Sequence, residues 1–264
     1  MKAAILIPAR FASSRFPGKP LVELCGASGT AKPLIQRSFE AASCVSGASS
    51  VHVVTDDDRI AVCAAGFGAP VIMTSTDCRN GTERCAEAMA KLDSPDLVIN
   101  LQGDALLTPP AFVEALIERL ESDPADVATP AFRLRSSEVR KLQDEEAEGR
   151  VGGTSVVTDA TGRALYFSKR LIPYLPAGAL DGEWSPVRFH VGVYAYRPEA
   201  LRRYAESSPS QLEQLEGLEQ LRFLDAGTAI SVVDVEAPPF ALRELNNPQD
   251  VEPIEQALAE AGLE

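Results

Sequence analysis

The chain has 264 residues, 45% hydrophobic and 24% charged, with a formal net charge of −13. That length suits one large α/β domain or a domain with a smaller lobe, and the composition is that of an ordinary globular protein. The acidic balance excludes broad phosphate-driven nucleic-acid binding, and no apolar run approaches the roughly 18 residues of a membrane span.

The first element is the apolar run Ala3-Ala4-Ile5-Leu6-Ile7, stopped by Pro8. Short apolar runs bounded by breakers predict buried strands of a parallel sheet. The run is too short for a signal peptide, so the cytoplasm is the expected location, with neither nucleic acid nor membrane as partner. Behind it, residues 10–20 hold Arg10, Ser13, Ser14, Arg15, Pro17-Gly18 and Lys19-Pro20. Such a loop after a first strand points to phosphate binding: Arg10 and Arg15 can fork onto phosphate oxygens, and Lys19 offers a point charge. The alternative is a solvated basic turn. In so acidic a chain, an anionic nucleotide requires a local basic cluster of this kind.

Residues 31–46 read as a helix, 50–55 as a strand ending in Asp56-Asp57-Asp58, and 59–67 as a helix closed by Gly68. A strand follows at 70–74, then a helix at 81–91 started by Asn80 and Gly81, then a strand at 96–101 ending in Gln102-Gly103-Asp104. This alternation predicts an α/β fold of right-handed βαβ units, with a Rossmann-like, mostly parallel sheet flanked by helices. Acidic stretches at 114–121 and 144–148 read as solvated helix faces. Further on, 151–158 and 164–168 read as strands around a turn at 159–162, and 173–186 as a mobile loop. Residues 189–196 and 229–235 are strands, and 248–261 a closing helix. The chain reads as one unit, 1–264: a nucleotide-binding core from 1–130 and 225–264, and a β-rich insertion at about 131–224. Cys25, Cys44, Cys63, Cys78 and Cys85 lack metal-ligand spacing and there are only two histidines, so buried free thiols are expected rather than disulfides or zinc.

Ligands in open α/β sheets bind at the carboxyl ends of strands. Asp104, behind an apolar strand and Gln-Gly, reads as a Mg²⁺ ligand, because Mg²⁺ takes one or two carboxylates plus phosphate oxygens. Asp56 to Asp58 read as helix caps.

Several segments also resemble a known family. Pro8-Ala9-Arg10, Ser13, Arg15 and Pro17-Gly18-Lys19-Pro20-Leu21 resemble the signature loop of the CMP-sugar synthetases, most closely the CMP-Kdo synthetase family, the 3-deoxy-manno-octulosonate cytidylyltransferases. Asn80-Gly81-Thr82-Glu83-Arg84 resembles the family's segment along the nucleotide. Asn100-Leu101-Gln102-Gly103-Asp104 resembles the segment in which Gln contacts cytosine and Asp binds Mg²⁺. Ala164 to Lys169, Ile172-Pro173-Tyr174, His190 to Arg197, Leu212-Glu213, Glu216 and Leu218-Glu219-Gln220-Leu221-Arg222 resemble its sugar-binding lobe. The likeness runs from about residue 3 to 255.

The resemblance implies a nucleotide-diphospho-sugar transferase-like fold and a homodimer built through the second lobe. It implies that CTP and a 3-deoxy-2-ulosonic acid, foremost Kdo, give CMP-Kdo and pyrophosphate for lipopolysaccharide synthesis. Lys19, Arg10 and Asp104 are then catalytic, and Arg10, Ser13, Arg15, Lys19, Arg84 and Gln102 bind the nucleotide. Lys169, His190, Tyr194, Glu219 and Gln220 bind the sugar, and Asp104 and Asn246 hold Mg²⁺. Structural alternatives stand beside these roles: Arg84 on a helix face with a surface partner, Tyr194 packed between sheet and helix, Glu219 paired with Arg222. The chain departs from the family pattern at Ala105-Leu106 (usually Glu-Pro), Gly152-Gly153-Thr154-Ser155 (usually Asn-Val-Val-Lys in type), Lys169 (usually Arg) and Asn246 (usually Asp). The alternative functions are a nucleotidyltransferase for a different acidic sugar, modified Kdo or neuraminate-like, and a non-catalytic nucleotide-binding relative.

Overall fold

The computed structural model describes residues 1–264 except Ser14, Ala105, Ala241, Arg243 and Glu264. The loop residue Ser14 and the departure at Ala105 therefore lie outside the described residues. The first half comprises β1 (Ala3–Ala9), β2 (Glu23–Cys25), β3 (Ala31–Pro33), α1 (Leu34–Ser43), β4 (Ala48–Thr55), α2 (Asp58–Gly66), β5 (Val71–Met73) and α3 (Gly81–Met89). It continues with β6 (Leu97–Leu101), α4 (Pro110–Ser122), β7 (Val127–Arg135) and α5 (Ser136–Ala147). The second half comprises β8 (Thr154–Thr158), β9 (Ala164–Ser168), β10 (Trp184–His190), β11 (Val193–Tyr196), α6 (Pro198–Glu206), α7 (Gln211–Glu216), α8 (Gln220–Asp225), β12 (Ile230–Asp234) and α9 (Val251–Ala261).

Ten strands form one sheet in the order β5-β4-β1-β6-β11-β7-β10-β8-β9, with β12 on β7. β4 and β6 flank β1 in parallel, and β5 lies parallel outside β4. β11 is antiparallel to both β6 and β7, which leaves β7 in the direction of β6, and β12 runs parallel to β7. β10, β8 and β9 then alternate. The central sheet is thus mixed and mostly parallel, with only β9, β10 and β11 reversed.

The near-continuous apolar character of β1 has a direct cause: both faces of the sheet are covered. Ile5 and Ile7 face Ile35 of α1, Ile60 of α2 and Phe112 and Leu116 of α4. Leu6 faces the other way, toward Cys85 and Met89 of α3, Leu201 of α6 and Leu221 of α8. A third cluster seats α9 (Ile254, Leu258) against Leu24, Leu34, Leu107 and Leu245, and so brings the C-terminal segment back beside the strand ends. No helix among the described residues is long and apolar enough to cross a membrane.

Four sequence expectations need correction. The helix expected over 31–46 begins at Leu34, because Ala31–Pro33 pairs with β2 and the residue before a proline is pushed out of the helical region. The loop expected over 173–186 ends at Trp184, where β10 starts. The single strand expected over 189–196 is two strands interrupted at Val191-Gly192. β10 and β11 both lie along β7, but pairing slips from His190↔Ala131 to Ala195↔Ala128. Beyond the slip β11 pairs with β6, whereas before it β10 pairs with β8, so the sheet forks there. The buried Thr129 hydroxyl fixes the interruption by donating to the Val193 carbonyl at 2.8 Å. The five cysteines are free, but only Cys85 is buried, while Cys25 and Cys44 are exposed.

Candidate active site

Two cavities open at the carboxyl ends of β1 and β6 and at the fork of the sheet. One, of about 500 Å³, is lined by Arg10, Ser13, Arg15, Lys19, Arg84 and Gln102, all six of the residues predicted to bind nucleotide. The other, of about 680 Å³, is lined by Lys169, His190, Tyr194, Glu219 and Gln220, the five predicted for the sugar, together with Asn246. Arg15, Gln102, Asp104, Gly217 and Glu219 line both.

In the first cavity several cations already have partners. Lys19 forms an ion pair with Asp104 across the gap between the β1 and β6 loops. Arg15 donates to Asn246 Oδ1 at 2.8 Å, which ties the basic loop to the C-terminal segment. Arg10 is exposed and makes no ion pair among the described residues. Gly103 lets the two loops meet, since a Cβ there would stand 2.8 Å from the Pro8 carbonyl oxygen. Its own carbonyl accepts from Ser38 of α1 at 2.9 Å, so the turn that carries Asp104 is anchored to the helix beneath.

Arg84 is no surface residue. It is 2% exposed, and its guanidinium donates to Thr74 Oγ1 at 2.6 Å and to Asp56 at 3.0 Å. This corrects the reading of Asp56 as a cap; Asp57 is the cap of α2, accepting from the Arg59 amide at 2.9 Å.

The second cavity is built from buried, mostly uncharged groups. His190 lies beneath the fork, its Nε2 2.9 Å from Thr129 Oγ1 and its ring edge-on to Phe167. The same Thr129 hydroxyl reaches the Val193 carbonyl at 2.8 Å, so the ring is tied through it to the start of β11. Burial pushes the His190 pKa down to about 3, and the ring is neutral at physiological pH. Tyr194 packs between His190 and Tyr196 while lining the cavity, so the packing and the binding positions coincide. Gln220 is 3% exposed, and its Nε2 has no hydrogen-bond partner among the described residues. A buried donor left open beside a cavity is a position where a ligand acceptor would be rewarded. Lys169, like Arg15, is an exposed cation of this cavity, and its backbone N–H donates to Glu216 at 3.0 Å.

Glu219 stands where the cavities meet. It does not pair with Arg222; its Oε2 accepts from Thr82 Oγ1 at 2.6 Å and from the Thr82 amide at 3.1 Å. Burial outweighs these bonds and raises its pKa from the ordinary carboxylate value. Arg222 instead grips both oxygens of Glu213 at 2.6 Å and Glu83 at 3.2 Å, over the ring of Tyr204. Tyr204 in turn accepts from Asn80, the cap of α3, at 2.9 Å. This network joins α3 and α7, which edge the nucleotide cavity, to α8, which edges both.

Sequence reasoning missed Thr82, Asp56, the Arg222 hub as a structural link, and Glu244. Glu244 lies in the second cavity, and its Oε2 accepts from Asn246 Nδ2 at 3.3 Å. It is open to the cleft on one side; the protein packed around its carboxyl, ahead of the nearby Asp104 charge, raises its pKa. Only the strand-end position of Asp104 could have pointed to a second carboxylate near it.

The fold and cleft define an α/β nucleotide-binding transferase architecture, and comparison with known proteins makes it specific. A cytidylyltransferase family model matches residues 4–230. The mitochondrial 3-deoxy-manno-octulosonate cytidylyltransferase of Arabidopsis thaliana is 40% identical over 98% of this chain and 83% of its own length. The 3-deoxy-manno-octulosonate cytidylyltransferase of Maricaulis maris is 38% identical over 99% of each chain. A solved structure of CMP:2-keto-3-deoxy-manno-octonic acid synthetase complexed with CTP superimposes with a TM-score of 0.84 at 37% identity, covering 99% of this chain and 100% of the other. The chain belongs to the cytidylyltransferase family and, within it, to the 3-deoxy-manno-octulosonate cytidylyltransferases.

Proposed function

We propose that this chain transfers the cytidylyl group of CTP to 3-deoxy-manno-octulosonate (Kdo), giving CMP-Kdo and pyrophosphate. The observation that carries this reading is the meeting of a basic cavity and a hydrogen-bonding cavity at Asp104, Gln102, Arg15 and Glu219. The anomeric hydroxyl of the acid attacks the α-phosphorus in line. A new P–O bond forms, the bond to the β-phosphate breaks, and the hydroxyl proton is released with pyrophosphate. Such a reaction needs positioning and charge neutralisation rather than a covalent intermediate.

Arg10, Arg15 and Lys19 neutralise the triphosphate, and Ser13 adds a hydroxyl donor. Gln102 presents both a donor and an acceptor to the cytosine edge, and Arg84, held by Asp56, backs the nucleotide. Lys169 supplies the cation for the sugar carboxylate, because His190 is neutral and serves as a hydrogen-bonding wall with Tyr194, Glu219 and Gln220. The donor set of Asp104, Asn246 and Glu244 consists of hard oxygens beside the phosphate loop, which suits Mg²⁺. When bound, Mg²⁺ supplies charge neutralisation at the phosphates and lowers the pKa of the attacking hydroxyl. A cytoplasmic homodimer serving lipopolysaccharide synthesis belongs to the same reading. The exposed Leu165 on edge strand β9, with Tyr174 and Trp184, favours a second copy docking on that half.

A modified or different acidic sugar is the second reading. It is favoured by Lys169, which offers a point charge where a forked guanidinium would grip a carboxylate in two places, and by Gly152 and Gly153 in the cavity wall. Pyrophosphate release with CTP and Mg²⁺, with and without Kdo and repeated with ATP, GTP and UTP, separates the readings. Release that requires both CTP and Kdo is expected. Release with CTP and another acidic sugar but not Kdo selects the second reading, and CTP binding without turnover of any acceptor identifies a binding-only relative.

A further inference from the structure

The aspartates that end β4 do more than cap a helix. Asp57 grips the side chain of Arg59, accepting from its Nε at 2.9 Å and from its terminal nitrogen at 2.6 Å. The guanidinium held in this way lies over the ring of Phe11, with Cζ 3.3 Å from the centroid. The same ring packs on Gly18, whose φ of 73° favours glycine and where a Cβ would approach the ring to 3.1 Å. The Phe11 carbonyl accepts from the amides of both Ser13 and Gly18 at 2.9 Å, and so draws the two ends of the basic loop together. Arg10 precedes this residue, and Ser13, Arg15 and Lys19 follow it; all four line the nucleotide cavity, whereas Phe11 and Arg59 line neither cavity.

We infer that the Asp57–Arg59–Phe11 stack is a brace that holds the phosphate-binding loop in its nucleotide-ready form, so that Arg59 and Phe11 are positioning residues for the triphosphate. The inference deepens the proposed function and rests on it for the identity of the ligand. A solvent-exposed cation, as Arg59 is, over a half-buried aromatic ring is worth about a 2- to 5-fold factor in an equilibrium.

Arg59→Ala leaves the helix cap intact, because Asp57 accepts from the backbone N–H of residue 59 whatever its side chain. In Arg59→Ala the Kd for CTP, measured by calorimetry, should rise about 2- to 5-fold, while the Kd for the acidic sugar stays unchanged. Arg59→Lys, which keeps the cation but loses the fork onto Asp57, should fall between. Paired with Phe11→Leu, Arg59→Ala should add nothing beyond the worse single variant. Hydrogen exchange in the free protein gives a readout that needs no nucleotide: the Ser13 and Gly18 amides should exchange faster in Arg59→Ala, with the rest of the sheet unaffected. Unchanged CTP affinity with unchanged exchange, or strictly additive effects of the two substitutions, would overturn the brace. A wild-type protein that bound no CTP would sink the proposed function, and the exchange rates would then decide the brace alone.

Discussion

The two cavities share a wall but recognise their contents by different physics. The nucleotide cavity is made of loops at strand ends, and most of its cations are engaged in advance: Lys19 by Asp104, Arg84 by Asp56 and Arg15 by the amide oxygen of Asn246, with Arg10 left exposed. The other cavity draws on β9, β10, β11 and the α7–α8 turn, and most of its groups are buried and neutral or nearly so: His190, Tyr194 and Gln220. Pre-paired charges can be exchanged for ligand charges without exposing a bare ion in the empty site. Buried uncharged groups instead demand a ligand of the right shape and hydrogen-bond pattern, since an unmet donor there costs about 1–3 kcal/mol. The charged part of the first design grips a triphosphate, leaving the base to Gln102, and the second design selects an acceptor.

The largest effect is expected where the two designs meet. Asp104→Ala removes the partner of Lys19 and one of the two carboxylates common to both cavities. Turnover should drop by at least about 10²-fold, on the scale of deleting one charge-stabilising group in a reacting site. A steady-state assay of pyrophosphate release checks this, and a loss below tenfold would mean that the shared wall is passive.

Arg222 tests whether the cavities are mechanically joined. It is 3% exposed and holds Glu213 and Glu83, and replacing it with Met leaves Glu213 without its cation in the interior, while Glu83 keeps Arg79. Breaking a buried pair in this way costs about 3–5 kcal/mol. Urea unfolding of Arg222→Met should show a loss of this order. A near-neutral result would mean that the network adds little and that α3 and α8 are held by apolar packing alone.

Much of the first cavity was legible in the sequence, and less of the second, for a physical reason. Arg10, Ser13, Arg15 and Lys19 fall within ten residues behind an apolar strand, so strand-end logic alone locates them. Gln102 and Asp104 follow β6 in the same way. His190, Tyr194, Glu219 and Gln220 are joined only through the fork at Val191-Gly192, a register slip that no local pattern encodes, and they entered through family likeness. The missed residues were long-range partners. Asp56 looked like a cap because Arg84 lies 28 positions away, and Thr82 meets Glu219 across 137 positions. Glu244 could not be placed without knowing that α9 returns the C-terminal segment to the cleft. The helix start at Leu34 was misplaced because the steric effect of Pro33 on Lys32 outweighs the apolar periodicity that follows.

Gln220 sharpens the contrast by predicting effects of opposite sign. Gln220→Leu removes the unpartnered buried Nε2 at nearly constant volume, so the free protein should be unchanged or more stable by up to about 1 kcal/mol. The KM for the acid should nevertheless rise about tenfold, as expected when a buried hydrogen bond to a ligand is lost, with the KM for CTP unaffected. Thermal unfolding and separate titrations of the two substrates read both signs. Parallel losses of stability and acceptor affinity would place Gln220 among the packing residues instead.

The remaining test concerns pH. His190 is held near 3 by burial, well below the ordinary histidine value of about 6.5 that applies to the unfolded chain. Between those values the unfolded chain binds a proton that the native state refuses. Stability is therefore unaffected above about pH 6.5 and declines as pH falls from there toward 3. His52, half-buried and also shifted down by burial, contributes in the same direction, so only a comparison with a variant isolates His190. Asp123, gripped by Arg163, is held at about 2, so its contribution is whole above the ordinary aspartate value and is lost as pH falls from there through about 2. Glu219 and Glu244, shifted up by burial, act in the opposite direction, favouring the native state as pH falls. In urea midpoints measured from pH 7 to pH 4, His190→Gln should give a shallower decline than the wild type, with the two curves closest together at pH 7. Identical slopes would mean that the imidazole is hydrated or charged in the native state, and the acceptor cavity would then recognise its ligand by charge, as its neighbour does.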